Sequence, residues 1–298
     1  MLLKLKSYIV PLTFITLAGG GFVFTKKGLE NASLMAFLEL RYLFAFIILL
    51  FIVFIFKIKF PRNLNEIFHI SIAGILSVGL LNIGSFSSIA YGLSPSYCSL
   101  IIALQPIIVS FFAMKFLGES VSLKAWFGLI LGLVGVGLVL GLDGQINKSE
   151  FLGFLFGLLG LLGTSIGTLY QKKYCSNMNL ITGGVIQTFA SAIIVLPLLY
   201  FEDIRVDFSG EFIIALSYMS VVASIGVMSL LYYMIRHGEV SKVSSLFYLL
   251  PVAAAIISYF VLNKDIELNV FVGIIIVLIA MNLINKKQKI QVNFVNQS

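Results

Sequence analysis

The chain has 298 residues, 59% hydrophobic and 11% charged, with a formal net charge of +7 and a mean hydropathy of +1.06. Soluble domains carry roughly 25% charged residues to face water, so this composition excludes a soluble enzyme, a disordered chain and a nucleic-acid-binding protein. It describes a polytopic membrane protein whose loops are short.

Apolar runs of the length that crosses a bilayer fall in chain order near Tyr8–Thr25, Ser33–Phe56, Ile67–Tyr91, Ser94–Leu117, Leu123–Leu142, Phe151–Tyr170, Leu180–Tyr200, Glu211–Ile235, Val240–Leu262 and Leu268–Asn285. The fold expected is all-α, with ten transmembrane helices. The runs are too long and unbroken for the alternating strands of an outer-membrane barrel. Lys4 and Lys6 before the first run give it the look of a secretory leader, but the nine runs that follow favour a retained span. With the amino terminus on the cytoplasmic side, fourteen Lys and Arg residues face the cytoplasm and five face the other side. The positive-inside rule then places both termini in the cytoplasm, in the cytoplasmic (inner) membrane. The basic residues Lys286, Lys287 and Lys289 open a cytoplasmic tail, 286–298. Cys98 and Cys175 fall at opposite faces, so no disulfide is expected, and no metal-ligand spacing occurs.

The chain repeats itself. At an offset of 146, Gly21 falls on Gly167, Lys26-Lys27 on Lys172-Lys173, Arg41 on Gln187 and Gly92 on Gly238; at 145, Ser99 falls on Ser244, Pro106 on Pro251 and Gly128 on Gly273. The halves are 1–142 and 151–285, five spans each. An odd number per half makes the second enter the membrane from the opposite side, an inverted repeat of the kind that builds many secondary transporters around a midplane site.

Glu39 and Arg41 are the ionisable residues deep inside a span. Arg41 lies about 12 Å past Ser33 at 1.5 Å per residue, where a charge is costly and faces a cavity or a partner. It either attracts a substrate carboxylate or tethers helices. Glu39 is roughly 200° around the helix from it, so the two cannot simply neutralise each other; Glu39 is either a proton-coupling site or snorkels outwards. Gln187, at matching depth in the second half, is a candidate substrate contact or an interhelical hydrogen bond. Pro106 and Pro251 each remove a backbone donor and mark helix breaks that line a cavity, with bulky polar Gln105 and Tyr248 beside them as cavity residues. Asn82 and Ser85 share one helix face, and Ser217, Ser220 and Ser224 another; Asn82 and Ser85 are added to the candidate substrate contacts. Tyr232 and Tyr233 are an interfacial anchor or a gate. Gly19, Gly20 and Gly21 let the first helix bend or bring backbone to substrate.

The stretch Ala18-Gly-Gly-Gly-Phe-Val-Phe-Thr-Lys26, then Glu39-Leu-Arg41-Tyr-Leu-Phe-Ala45, and Ala90-Tyr-Gly-Leu-Ser-Pro-Ser running on to Leu104-Gln-Pro106 and Leu117-Gly-Glu119, resembles the EamA-type proteins of the drug/metabolite transporter superfamily. The resemblance implies a ten-helix fold and carriage of small metabolites, commonly export of amino acids or related compounds. Two features depart from that pattern: the tryptophan usual near the start of the first span is missing, and Gly118-Glu119 becomes Asn263-Lys264 in the second half. The expected function is secondary transport of a small metabolite by alternating access, as a monomer or homodimer in the bilayer, with proton coupling as an option. Uptake or exchange of a nucleotide-like metabolite such as S-adenosylmethionine is the alternative within transport. An intramembrane lipid-modifying enzyme and a non-transporting scaffold are alternatives of other classes. With no P-loop or other phosphate-binding motif, no cofactor is expected, and no nucleic-acid partner.

Overall fold

A computed structural model describes residues 2–91, 93, 95–140, 150–262 and 268–285. The helices in order are α1 (Leu2–Asn31), α2 (Leu34–Ile55), α3 (Leu64–Ala90), α4 (Pro95–Ile102), α5 (Gln105–Phe116), α6 (Leu123–Leu140), α7 (Phe151–Tyr174), α8 (Leu180–Phe201), α9 (Gly210–His237), α10 (Val240–Ser245), α11 (Leu249–Leu262) and α12 (Leu268–Asn285). Seven helical segments of 18 to 28 residues are long and apolar enough to cross a membrane, and three shorter apolar ones run over Leu100–Phe116, Leu123–Val139 and Leu268–Ile284. Among the described residues the extended pairing is a single antiparallel bridge, Ala32 to Val206. In lipid every backbone group must be satisfied within the protein, and helices do this segment by segment.

Irregularities recur at matching places in the two halves. α3 turns π-helical over Ile75–Leu80 and α9 over Tyr218–Val227; shifted by 146, positions 75–80 fall on 221–226, inside the second stretch. The breaks recur too. α4 and α5 are divided at Ala103 and Leu104, and a 3₁₀ turn, Leu246–Tyr248, divides α10 from α11. Pro106 lies in the first turn of α5 and Pro251 in the first turn of α11. This corrects the expectation of prolines that break a helix from within. At a helix start the missing amide donor has no carbonyl to reach, so proline is tolerated there, and the break lies just upstream of each.

The two halves are packed through each other. α2 lies against α8, α3 against α7, α6 against α12, and α1 against α9 and α11. Small residues set the closest approaches, as between helices in membranes generally. A Cβ on Gly167 of α7 would lie 2.6 Å from the Ser77 amide nitrogen of α3, and one on Gly163 would lie 2.7 Å from Leu80 Cβ. Gly84 and Gly160 meet on the same seam. The glycine run in α1 behaves differently. The helix continues unbroken through Gly19, Gly20 and Gly21. A side chain on Gly20 would collide with the Tyr218 hydroxyl, which donates to the Leu17 carbonyl at 2.8 Å. Gly21 is buried, yet a Cβ there meets nothing within 4 Å.

These contacts predict opposite effects at two repeat-related glycines. Gly167→Val forces the α3–α7 seam apart and costs about 1–3 kcal/mol, the usual range for overpacking. Gly21→Ala is tolerated and gains up to about 1 kcal/mol of helix propensity. Thermal unfolding of the two variants in detergent checks both signs.

Candidate functional site

Arg41 is 3% exposed and is held from both halves of the chain. Its Nε donates to Ser224 Oγ on α9 at 2.9 Å, and Nη1 donates to Asn82 Oδ1 on α3 at 3.3 Å. Both acceptors are themselves fixed. The Ser224 hydroxyl donates to the Met219 carbonyl, five residues back in the π-helical stretch, and Asn82 Nδ2 donates to the Val78 carbonyl. Tyr42 reaches that carbonyl too, at 3.2 Å. Two donors of a buried guanidinium thus meet neutral dipoles that the backbone holds in place.

Beside this network lies a small cavity of about 10 Å³, room for roughly one water molecule. Among its lining residues are Val78 of α3, Gln187 and Thr188 of α8, and Ser224, Ser229 and Tyr232 of α9. Val78 and Ser224 come from the two π-helical stretches. Gln187, the repeat counterpart of Arg41, donates through Nε2 to Gln171 Oε1 at 2.9 Å, and Gln171 Nε2 lies 3.3 Å from Met178 Sδ. Tyr232 is 4% exposed and shares a hydrogen bond with Ser77 Oγ at 3.2 Å. The described structure therefore brings Arg41, Asn82, Gln187 and Tyr232 to one place, with Ser224 as their link.

Other sequence candidates lie elsewhere. Tyr248 is fully buried, but its hydroxyl donates to the Leu129 carbonyl and its ring fills the space over Gly132, between α6 and the break before α11. Its polar atom serves helix packing and does not reach the cavity. Gln105 is 0% exposed, donates to Thr168 Oγ1 at 3.3 Å and leaves its Oε1 without a partner. Ser85 packs against Gly160 on the α3–α7 seam. Tyr233 faces outward against His237, ring centroids 4.3 Å apart, because neighbouring residues of a helix point about 100° apart; the two tyrosines do not act as a pair. Glu39 does not snorkel. It is 7% exposed, and its Oε2 has no hydrogen-bond partner. The ion pairs among the described residues, Lys27–Glu211 and Lys242–Glu239, involve neither Glu39 nor Arg41. Among the described residues no cluster of three His, Cys, Asp or Glu is placed to hold a metal ion.

Sequence reasoning missed Gln171 and Ser77. Each hydrogen-bonds a selected residue on another helix, Gln187 and Tyr232, and a lone polar residue in an apolar run carries no sign of which neighbour it will meet.

Interpenetrating apolar helices around a buried arginine, with matching irregularities in each half, are the architecture of a multi-pass membrane protein. The profile of the EamA-like transporter family matches the chain twice, over residues 5–141 and 151–286. The chain belongs to that family, within the drug/metabolite transporter superfamily. It is 29% identical to the uncharacterized transporter YvbV of Bacillus subtilis over 65% of this chain and 64% of that one. It is 28% identical to a chloroplastic WAT1-related protein of Arabidopsis thaliana over 76% of this chain and 56% of that one. The match thus spans less than two thirds of each of these relatives. The uncharacterized transporter YetK of Bacillus subtilis is 24% identical over 96% of this chain and 89% of its own. A protein crystal structure superimposes with a TM-score of 0.79 at 13% identity, covering 94% of this chain and 97% of that one; the two share a fold.

Cys175, just beyond the end of α7, is free and buried. Burial pushes its thiol up to about 12, and the Glu66 carboxylate adds to the effect. The thiolate is the reactive form, so Cys175 in the folded protein resists maleimide at pH 7.5 and reacts only after denaturation. Mass spectrometry of alkylated protein, with and without denaturant, checks this.

Proposed function

We propose that the protein is a secondary carrier of a small metabolite, an amino acid or related compound, moved outward across the inner membrane by alternating access. In this reading ten spans form two inverted repeats, 1–142 and 151–285, followed by a cytoplasmic tail, 286–298. The observation that carries it is Arg41, a guanidinium held by dipoles from α3 and α9 next to a cavity that its counterpart Gln187 lines from the other half. A fixed cation between two repeat-related halves suits a substrate carboxylate, since Arg binds that group in a planar, two-pronged fashion. Glu39, buried with an unpartnered oxygen, serves as the proton-coupling group.

The tether and binding roles of Arg41 separate on energetic grounds. Hydrogen bonds between helices in a membrane contribute about 1 kcal/mol each. Removing the guanidinium takes one donor each from Ser224 Oγ and Asn82 Oδ1 but leaves the Ser224 hydroxyl on Met219 and Asn82 Nδ2 on Val78, so the loss is of two such bonds. Arg41→Ala is therefore expected to keep its folded monomer on detergent chromatography while losing flux of a carboxylate-bearing substrate in proteoliposomes at least tenfold. Loss of the monomer peak would reduce Arg41 to a tether, and undiminished flux would remove it from the site. Reporter fusions are expected to place both termini in the cytoplasm; a periplasmic carboxyl terminus would break the inverted repeat.

A further inference from the structure

The turn between α1 and α2 and the loop between α8 and α9 come from different halves of the chain. They are joined at the end of the bundle where α1 ends, the outer end in the topology proposed above. Ala32 and Val206 form an antiparallel bridge. The Ser33 amide donates to the Arg205 carbonyl at 2.7 Å, and the Asp207 amide donates to the Asn31 carbonyl at 2.8 Å. Side chains extend the join on both flanks. Glu202 Oε2 accepts from the Met35 and Ala36 amides at 2.9 and 3.3 Å, capping α2 from the other half. Ser209 Oγ donates to Asn31 Oδ1 at 2.9 Å, and Lys27 Nζ pairs with Glu211 Oε1 at 3.4 Å. Beneath this clasp Phe37 and Phe212, both fully buried, pack with ring centroids 5.7 Å apart in an apolar cluster that reaches Ala223. The next residue is Ser224, the partner of Arg41. The cavity runs the other way from Ser224, along Ser229 and Tyr232 to Leu180, the first residue of α8. The outer side of the site is shut by a layer of rings and, above it, by backbone.

The repeat shows that the opposite end is not built for the same closure. Shifted by 146, the residues that bound the α2–α3 loop, Ile55 and Leu64, fall on Phe201 and Gly210, so the two loops match residue for residue. Asp207 corresponds to Pro61, which has no amide to donate. Glu202 corresponds to Phe56 and Glu211 to Asn65, so the cap and the ion pair lose their carboxylates. Ser33, whose hydroxyl accepts from the Arg205 amide at 3.2 Å, corresponds to Asn179. Asn179 Oδ1 caps its own helix instead, accepting from the Ile181 and Thr182 amides at 3.0 and 3.2 Å. Ala32 corresponds to Met178, whose Sδ lies 3.3 Å from Gln171 Nε2. Among the described residues Ala32–Val206 is the single bridge, so Met178 and Phe60, the counterpart pair, do not form one.

We propose that this clasp is the outer gate of the carrier. It parts when the site faces outward and re-forms when the site faces inward, and no equivalent clasp forms at the inner end. The residues of the clasp are positioning residues, acting on access to the cavity and not on substrate. The inference deepens the carrier reading and rests on it.

The bridge offers its own lock. Its two hydrogen bonds flank Ala32 and Val206 and do not run between them. That is the non-hydrogen-bonded pair of an antiparallel ladder, with Cα atoms roughly 4.5 Å apart, a separation that suits a disulfide. The test chain carries Ala32→Cys and Val206→Cys, with Cys98→Ala, Cys175→Ala and, on the cavity wall, Ser229→Cys as reporter. A membrane-impermeant maleimide is applied from the outer face in whole cells and from the inner face in inverted membrane vesicles. Its addition at position 229 is read by peptide mass spectrometry. With copper phenanthroline the pair is expected to cross-link. Labelling from the outer face then falls about tenfold or more against the same cells after reduction, since the lock removes the open state from the population. Labelling from the inner face persists. In the unlocked chain, Asp207→Pro gives the loop the residue of its counterpart and is expected to raise outer labelling about fivefold, the order set by one backbone hydrogen bond. Absence of the cross-link, a fall from both faces or from neither, or an unchanged rate in Asp207→Pro overturns the proposal. Where Asp207→Pro loses its monomer peak on detergent chromatography, the cross-linked and reduced forms alone decide. Labelling as expected, with no flux of radiolabelled amino acids in proteoliposomes, refutes the carrier reading and not the gate.

Discussion

A guanidinium within an apolar bundle must find its dipoles inside the protein, and the centre of this structure is organised by how Arg41 does so. Its donors point to α3 and α9, one helix from each half, and the acceptors there are fixed in turn by the backbone carbonyls of Val78 and Met219. The π-helical stretches stand at these points. Ser224 lies inside one, and its hydroxyl bonds five residues back, as that wider ladder permits. Val78 lies inside the other, and its carbonyl accepts from both Asn82 and Tyr42. A departure from α-geometry in the middle of a span commonly marks a functional place. Here it widens two helices where a cation must be coordinated and a cavity kept.

What the sequence made legible was what one residue or a period can encode. Apolar runs marked the spans, and the depth of Arg41 within its run marked a buried charge. The offset of 146 paired Arg41 with Gln187 before any distance was known; Gln187 lines the cavity, and Arg41 bonds Ser224 on its wall. What escaped depended on direction and distance. Gln105 and Tyr248 were chosen as bulky polar residues beside a proline, yet their polar atoms turn towards Thr168 and Leu129. Tyr232 and Tyr233 read as a pair, although adjacent helical positions diverge too far to share a target. Gln171 drew no notice because its meaning comes from Gln187, sixteen residues away on the next helix. The prolines misled for a related reason: sequence locates the missing donor but not whether a carbonyl was ever within its reach.

The two halves share a pattern of glycines, lysines and prolines but do not share a conformation. Two identical units related by an axis need not break their symmetry. Two units with different side chains at matched places must settle into unequal contacts, and here the inequality is coherent. A Cβ on Gly167 would strike Ser77 while one on Gly21 would meet nothing within 4 Å, and the Lys172 ammonium is engaged where Lys26 is exposed. Packed helix interfaces tend to be bistable and not smoothly deformable. The α3–α7 seam is closed by glycines, the α1–α9 seam by Tyr218, whose ring stacks on Phe24 and whose hydroxyl donates to the Leu17 carbonyl. Arg41 is shared by both halves, since its partners lie on the third helix of each. A buried charge whose acceptors stand on both halves ties them together at the centre of the bundle, and the hydrogen bonds to Asn82 and Ser224 put Arg41 there.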